Sequence, residues 1–534
     1  MNVIFRAGRV LTPQGVLDAA VLVGDGVIAA VGPEAELARR APSHETVDLD
    51  GGLLTPGFTD AHAHPVQAGL ERAKCDVSEV YGLEAYVAKI SDYATKNPDK
   101  EWIDGGGWDM SAFPNGLPHR DHLHFLDRPA YLIQRDHHAA WVNARALERA
   151  GITKDTPDPA DGRIERDPDG TPTGVLHEGA MDLVGLLTPR PTPDDLDAAL
   201  ADAQQHLFSY GITGWQDAIV GSYAGSDDQL PTYLSAARSG RLKARVVGAL
   251  WWDRTRGLDQ IGDLVARRAA AEGLDRFRAT AVKIMQDGIT ENFTAATLEP
   301  YCLCGGTGLS YVDPGKLKQY VAELDRLGFQ VHFHAIGERA VREALDSLQG
   351  TSPANRHHIA HLQIIEPGDV PRFAVLGVTA NLQPLWATHH AQMDELTLPY
   401  LGEPRSSWQY PFKDLLDHGT RLCAGSDWPV SNPDPLQGMH VAVNRTEPGS
   451  SVHAGYPTAQ TPFLPGQRID LATAMAAYTS GSAWINRSPA GAVEPGRPAD
   501  LVVLDRDPFA LPPSDIWTTR VRMTFVDGEA VYER

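Results

Sequence analysis

The segment Gly57-Phe-Thr-Asp-Ala-His-Ala-His64-Pro65 decides how the rest of the chain is interpreted. It predicts a short strand that stops at its last residue, because proline has no N–H to continue a β-ladder. Side chains alternate between the two faces of a strand, so Asp60, His62 and His64 share one face. Two imidazoles placed in this way can bind one metal ion, although a chain with 20 histidines contains such pairs by chance as well.

The composition limits the classes of function. A chain of 534 residues is too long for one compact core. Its content of 42% hydrophobic and 22% charged residues is typical of a globular protein. The 47 lysines and arginines against 69 acidic residues give a net charge of −22, which disfavours nucleic acid and anionic membranes as partners. The sequence lacks a long apolar run and a signal-peptide pattern, and its four cysteines are too few for a disulfide framework. These features predict a cytoplasmic protein, with Cys302 and Cys304 as ordinary thiols.

Strand patterns at both ends of the chain predict one small β-sandwich. Residues 1–56 contain short strands and the hairpin signal Gly24-Asp25-Gly26, and residues 499–532 contain matching strands. We predict three segments: 1–56 as the first part of the sandwich, 57–465 as the central domain, and 466–534 as the end of that domain and the rest of the sandwich. Frequent proline and glycine make 66–195 an irregular insertion, with helices at 83–95 and 143–150.

The central domain alternates strand and helix patterns from about residue 195 to 430. Together with the strand that holds His62, seven further strands make eight β/α units. An α/β fold with a (β/α)8 TIM-like barrel follows, whose active site lies at the carboxyl ends of the strands. The seven predicted strands are Ile212–Gln216, Ala244–Leu250, Ala279–Met285, Gln330–His334, His358–Gln363, Val378–Leu382 and Arg421–Gly425.

Residues that suit metal chemistry fall on these strands or directly after them. Histidine nitrogens with a lysine and a carboxylate form a donor set that suits zinc or a similar divalent ion. Three of these residues also have a simpler interpretation: Lys283 can pair with Asp287, His332 can be a core histidine, and Asp427 can cap a turn. The set consists of His62 and His64 on the first strand, Lys283 on the fourth, His332 and His334 on the fifth, His361 on the sixth, and Asp427 after the eighth.

Five blocks of sequence carry a wider resemblance: residues 57–64, 282–288, 334–337, 425–430 and 496–504. With these blocks the chain resembles the amidohydrolase superfamily, in particular its branch similar to N-substituted formamide deformylases (amidohydrolase 3, YtcJ-like). The resemblance covers essentially the whole chain. It departs from the family pattern at Glu338, where aspartate is usual, and at Ala360, where glutamate is frequent.

The resemblance implies a binuclear metal centre with Zn2+ or another divalent ion, and one or two ions per chain. His62 and His64 would bind the more buried ion together with Asp427. Lys283 would be carboxylated and bridge to a second ion, which His334 and His361 would hold. Homodimerisation is a further expectation from the family.

The expected reaction is hydrolysis of a C–N bond in an amide, an N-formyl or N-acyl compound, or a cyclic amide. A metal-activated hydroxide would attack, and Asp427 would act as general base and then protonate the leaving amine. The same ligands would also serve an imidazolone ring, an ester or a lactone. A non-catalytic amidohydrolase-like scaffold is the alternative from another class, and the complete ligand set favours an enzyme.

A small-molecule substrate with an apolar or aromatic group is predicted, because binding pockets are mostly apolar with few polar groups. For the tryptophans, packing in a core or lid is an equally reasonable interpretation. The residues predicted to bind substrate are Trp108, His138, Trp141, His332 and Trp386.

Overall fold

A computed structural model describes residues 2–223 and 227–534. Its centre is an eight-stranded parallel sheet whose strands follow each other in chain order around a barrel. The barrel strands are β1 (Phe58–Ala63), β2 (Ile212–Val220), β3 (Arg245–Trp251), β4 (Phe277–Met285), β5 (Gln330–Ala335), β6 (His358–His361), β7 (Thr379–Leu382) and β8 (Leu422–Ala424). The predicted (β/α)8 fold is confirmed, and the predicted strands overlap these eight.

The first and last strands meet at the carboxyl end of the barrel, where backbone hydrogen bonds join them. The Asp427 N–H donates to the His62 carbonyl at 2.7 Å, and the His64 N–H donates to the Trp428 carbonyl at 2.8 Å. Lower in the barrel the Asn381 amide donates to the Ala61 carbonyl at 3.0 Å. These bonds fix the segment after β8 against His62 of β1 and against His64, which directly follows that strand.

Helices cover the outside of the barrel and bury apolar stripes against it. One example is the helix Glu338–Ser347, which buries Ala340, Val341, Ala344 and Leu345. The α-helices of the described residues are Glu34–Arg40, Pro65–Arg72, Leu83–Lys96, Ala144–Ala150, Asp182–Gly185, Pro193–Ser209, Leu230–Arg238, Ile261–Ala270, Pro314–Arg326, Glu338–Ser347, Val370–Leu376, Leu398–Leu401, Phe412–Asp417, Pro435–Asn444, Leu471–Ala476 and Ser482–Ile485.

Both chain ends build the small β-sandwich, as predicted. Its core contains side chains from each end, and the rings of Phe5 and Phe525 meet edge to face at 5.0 Å. One sheet has four strands, in the order Val27–Gly32, Ala20–Gly24, Asn2–Arg6 and Glu45–Asp48. The other has six, in the order Glu529–Glu533, Val521–Val526, Leu501–Leu504, Leu53–Pro56, Arg9–Thr12 and Gly15–Asp18.

The insertion between β1 and β2 is more regular than its sequence indicates. It contains the two predicted helices and, in addition, a six-stranded sheet that the prediction missed. A Cβ on Gly105 or Gly106 would lie 2.2 Å from the Cys75 carbonyl oxygen or 2.4 Å from that of Ile133, so glycine permits close strand packing here. The strands, in sheet order, are Gly162–Arg166, Pro172–Glu178, Ala139–Val142, Ala130–Gln134, Ile103–Trp108 and Cys75–Asp76.

All four cysteines are free thiols, with Cys75 and Cys423 buried and Cys302 and Cys304 exposed. Among the helices of 2–223 and 227–534, none is both long enough and apolar enough to cross a bilayer.

Candidate metal centre and active site

A cavity of about 480 Å³ opens at the carboxyl end of the barrel. Barrel strand ends form its floor, and the insertion and the loops after β6, β7 and β8 form its walls. Six of the predicted metal-site residues line it, namely His62, His64, Lys283, His334, His361 and Asp427. The structure therefore brings together side chains that are up to 365 positions apart in the sequence.

The centre of this group is the carboxylate of Asp427. Its Oδ1 lies 3.1 Å from His62 Nε2 and 3.0 Å from His64 Nε2, and its Oδ2 lies 4.0 Å from His361 Nδ1. Although burial raises the pKa of this carboxyl, the neighbouring imidazoles hold the pKa well below its usual range. Asp427 is therefore an anion surrounded by histidine nitrogens.

The backbone is unusual where strand ends deliver these groups. Asp427 has φ +59° and His361 has φ +78°, conformations in which non-glycine residues are uncommon. Such strain concentrates at functional sites, where the surrounding structure imposes it. Here the positive φ angles turn the side chains of His361, at the end of β6, and Asp427, after β8, toward each other.

Lys283 reaches the centre from β4. Its Nζ lies 3.3 Å from His62 Nε2, and the side chain is buried. Burial lowers the pKa of Lys283 to about 7, so that much of the amine is uncharged at neutral pH. The suggested pairing with Asp287 is absent from the described contacts of the site, because that carboxylate accepts backbone N–H groups from Ala296, Ile336 and Gly337.

His334 lies at the far side of the group. Its Nε2 donates to the Gly288 carbonyl at 3.3 Å, and its ring centre is 4.4 Å from that of His361. Burial lowers the pKa of both histidines well below the ordinary value. Both rings are therefore uncharged at neutral pH, the form that can bind a metal.

The donor set fits a divalent ion. Zinc bonds of about 2.0–2.1 Å in a tetrahedral site place neighbouring donor atoms about 3.4 Å apart, and the distances around Asp427 bracket this value. In the described chain, ligand atoms of His62, His361 and Asp427 all lie within 4.8 Å of one another. The Nδ1 atom of His361, which faces Asp427, is buried without a hydrogen-bond partner among the described residues, which is costly unless another group binds it.

A second carboxylate supports the strand ends from behind. Asp60 accepts hydrogen bonds from the backbone N–H groups of His62 and Ser426, each at 3.0 Å, and from the Ser426 hydroxyl at 2.5 Å. Burial raises the pKa of Asp60 to about 7. This residue joins β1 to the loop after β8 and so holds His62 opposite Asp427.

The residues predicted to bind substrate are divided between two environments. His138 and Trp386 line the cavity, and the Trp386 ring is stacked on that of His361 at 5.2 Å. Trp108 and Trp141 are buried in the core of the inserted layer, where their N–H groups donate to the carbonyls of Leu132 and His119. Their direct contact with substrate stays a prediction.

His332 also lies away from the cavity wall. It is fully buried below the centre, and its Nε2 is 2.9 Å from Nδ1 of His62. The structure therefore places it behind a predicted metal ligand.

His138 is held by a buried acid. Its Nδ1 lies 3.0 Å from Oε1 of Glu178, which also accepts a hydrogen bond from the Thr294 hydroxyl. Burial lowers the pKa of His138, but the charge and hydrogen bond of Glu178 together with the charges of Asp136 and Asp427 outweigh this, so that the net shift of the pKa is upward. The imidazole is therefore fixed in orientation at the edge of the cavity.

Sequence reasoning missed the other members of the same loop. Residues 135–138 connect the antiparallel strands Ala130–Gln134 and Ala139–Val142, and all four side chains line the cavity. Arg135 lies 3.5 Å from Asp109, and Gln392 donates to Asp136 at 2.9 Å. Four consecutive polar residues between two apolar strands are a signal that could have identified this loop.

Comparisons with known proteins agree with this geometry. A family model described as "Amidohydrolase family" matches residues 45–532. The Bacillus subtilis protein YtcJ is 29% identical over the full length of both chains, and the N-substituted formamide deformylase of Arthrobacter pascens is 27% identical over 96% of this chain and 95% of its own. The crystal structure of an uncharacterized metal-dependent hydrolase from Pyrococcus furiosus is 25% identical, with a TM-score of 0.71 over 95% of this chain and 99% of its own.

Proposed function

We propose that this chain, which belongs to the amidohydrolase family, hydrolyses an N-formyl, N-acyl or cyclic amide. The proposal starts from its membership of that family, whose members include hydrolases of carbon–nitrogen bonds other than peptide bonds. The observation that carries the proposal is the convergence of histidine nitrogens, the Lys283 amine and the Asp427 carboxylate at the floor of one cavity. A small-molecule substrate follows from the size of that cavity.

His62, His64 and Asp427 would hold the more buried ion, which we propose to be zinc. Imidazole nitrogens with one carboxylate oxygen suit zinc, although other divalent ions share this preference. His334 and His361 would hold a second ion, and a carboxylated Lys283 would bridge the two. The lowered pKa of Lys283 supports this, because an uncharged amine is the form that adds to carbon dioxide.

Bound divalent ions lower the pKa of a water and polarise a carbonyl group. Asp427 is placed to accept the proton of the attacking water, since its carboxylate lies between the imidazoles of β1 and β6. It then donates that proton to the nitrogen of the leaving amine, so that no proton is gained or lost overall. Asp60 keeps the two segments in register throughout, through the three hydrogen bonds that it accepts.

We propose that the substrate presents an apolar or aromatic group to the wall that contains Trp386, and a polar group to His138. Both side chains line the cavity, and pockets of this kind combine apolar walls with a few polar groups. Trp108 and Trp141 would act indirectly, by packing behind the loop 135–138 that carries His138. The activity of the Arthrobacter pascens relative supports N-substituted formamides as the first class to assay.

The variant Asp427→Asn tests the mechanism. We expect it to fold and to lose about 10²–10⁴-fold in kcat, the range that a general base contributes. Metal content, measured by elemental analysis on the same preparation, separates loss of the base from loss of the ion. Near-native turnover in a variant that keeps its metal would exclude Asp427 as the base.

A substrate panel tests the bond type. It should contain aromatic and aliphatic N-substituted formamides, an N-acyl amine, a cyclic amide, an imidazolone and a lactone. We expect the fastest hydrolysis for an aromatic amide. Faster turnover of the lactone would refute the C–N assignment, and a metal-free, inactive wild type would favour the scaffold interpretation.

Cellular location and assembly also belong to the proposal. The four free thiols support a reducing compartment such as the cytoplasm. The net charge of −22 argues against nucleic acid as a partner. A homodimer is the assembly that we propose to examine first, by light scattering.

A further inference from the structure

We infer that His332 is a positioning residue for His62, a role that rests on the proposed metal centre. His332 lies on β5 with no exposed surface, below the floor of the cavity. Its Nε2 is 2.9 Å from Nδ1 of His62, and the two rings meet edge to face with their centres 4.7 Å apart. The other nitrogen of His62 faces the oxygen of Asp427 at 3.1 Å.

The neighbouring histidine of β6 cannot take over this role, because amide groups fix its protons. The Asn381 Nδ2 atom can only donate, so Nδ1 of His358 must accept, and Nε2 of His358 must carry the proton that it donates to Gln216 Oε1 at 2.9 Å. The Gln216 amide donates in turn to Gln330 and Asn486. Both ring nitrogens of His358 and the amide of Gln216 therefore already have hydrogen-bond partners other than His62.

His332 stands apart from that network. Its ring lies 4.1 Å from that of His358, yet its Nδ1 is buried without a hydrogen-bond partner among the described residues. The hydrogen bond of its side chain goes to His62. A buried imidazole with one such bond is well suited to set which nitrogen of its partner carries the proton.

Two arrangements of the protons satisfy the 2.9 Å contact when both rings are uncharged. If His332 Nε2 donates, His62 carries its own proton on Nε2, where it faces Asp427 and blocks a cation. If His62 Nδ1 donates to His332, the lone pair of His62 Nε2 is free to bind an ion. Only the second arrangement permits a metal, so His332 acts as the acceptor that presents the correct nitrogen of His62.

The test compares two amides of equal polarity at position 332. A glutamine side chain extends as far as the imidazole Nε2, so His332→Gln keeps an acceptor opposite His62. Asparagine ends near the position of Nδ1, so His332→Asn cannot reach it. Because both variants bury an amide, their stabilities should differ less from each other than either would from a leucine variant. Thermal unfolding of the metal-free proteins measures the remaining difference in stability.

The readout is the dissociation constant for Zn2+, measured on the full-length metal-free protein by competition with a chelator of known affinity. We expect His332→Asn to bind zinc about 10- to 100-fold more weakly than wild type, the usual effect of losing a partner of a metal-bound histidine. His332→Gln should recover most of the affinity. Visible spectra of the Co2+-loaded proteins should show altered bands for the asparagine variant and wild-type bands for the glutamine variant.

His357→Asn is the matched control. This neighbouring buried histidine bonds Asp325 and the Val331 N–H, and no contact within the described residues joins it to His62, so zinc affinity should stay at the wild-type value. Equal zinc affinity in His332→Asn and wild type would overturn the inference. An equal loss in both position-332 variants, or a similar loss in the control, would also overturn it by showing an effect of packing alone. A wild type that binds neither ion would refute the metal centre itself.

Discussion

Replacing Lys283 by methionine should stabilise the metal-free protein at pH 7 and remove part of its pH dependence. Burial lowers the pKa of the Lys283 amine from 10.5 to about 7. The unfolded chain keeps the ordinary pKa and therefore binds more protons than the folded chain between pH 7 and 10.5. The free energy of unfolding consequently rises with pH across this window, as the sign of the linkage relation requires.

The size of the effect follows from the shift. One pKa unit corresponds to about 1.4 kcal/mol, so the wild type is penalised by about 4 kcal/mol at pH 7 and by about 1 kcal/mol at pH 10. Methionine, of similar length, has no such penalty. The entropy of unfolding at the midpoint is about 2.1 cal/mol/K per residue, so 534 residues give an unfolding entropy of about 1.1 kcal/mol/K. The Tm advantage of Lys283→Met should therefore shrink by about 3 °C from pH 7 to pH 10.

The assay is thermal unfolding of both proteins at pH 7, 8, 9 and 10, with a chelator present and carbon dioxide excluded so that the amine stays unmodified. The variant Lys318→Met removes an exposed lysine from a surface helix and controls for the loss of an amine as such. Packing gains from methionine are independent of pH, so only the trend is decisive. A Tm difference that stays constant from pH 7 to 10 would refute the lowered pKa.

Three further outcomes are expected. Dialysis against a chelator should abolish hydrolysis and Zn2+ should restore it, with one or two ions per chain by elemental analysis; activity that survives complete metal removal would contradict the proposed function. Lys283→Ala should lose metal and activity, and short carboxylic acids should restore part of both; a fully active variant would exclude the carbamate. Trp386→Ala should lower kcat/KM for aromatic amides about 2- to 10-fold, the value of one aromatic contact, while Trp386→Phe keeps most of it; equal losses would argue against a stacking contact.

The barrel could be predicted because its strands are apolar runs bounded by turn signals and end in polar side chains. The β1 segment with His62 and His64 and the loop that carries Asp427 show this pattern most clearly. The six-stranded sheet of the insertion could not be predicted in the same way. Its strands are short, one contains three consecutive glycines at 105–107, and each pairs with a partner that local sequence does not specify.

The position of His332 shows a second limit of sequence reasoning. Alternation places His332 and His334 on the same face of β5, and the sequence therefore offers both as site residues. A strand rises about 3.3 Å per residue, so the earlier histidine lies about 6.6 Å deeper along the barrel axis, below the cavity floor. Alternation also separates Trp108 from the cavity, because its neighbours Gly107 and Asp109 line the wall while the indole points into the inserted core.

The two layers of the molecule have different roles because they are tied together differently. The candidate ligands lie on barrel strands or next to them, so the strand ladder, together with the backbone hydrogen bonds between the ends of β1 and β8, fixes their spacing. The loop 135–138 belongs to the inserted sheet and contacts the barrel side through side chains, as when Gln67 bonds His137 and Asn292 bonds the His138 carbonyl. Changes in this loop can therefore reshape the cavity wall without moving the ligands. Relatives that share the ligand set but differ in this loop should consequently differ in which amide they accept, and not in the bond that they break.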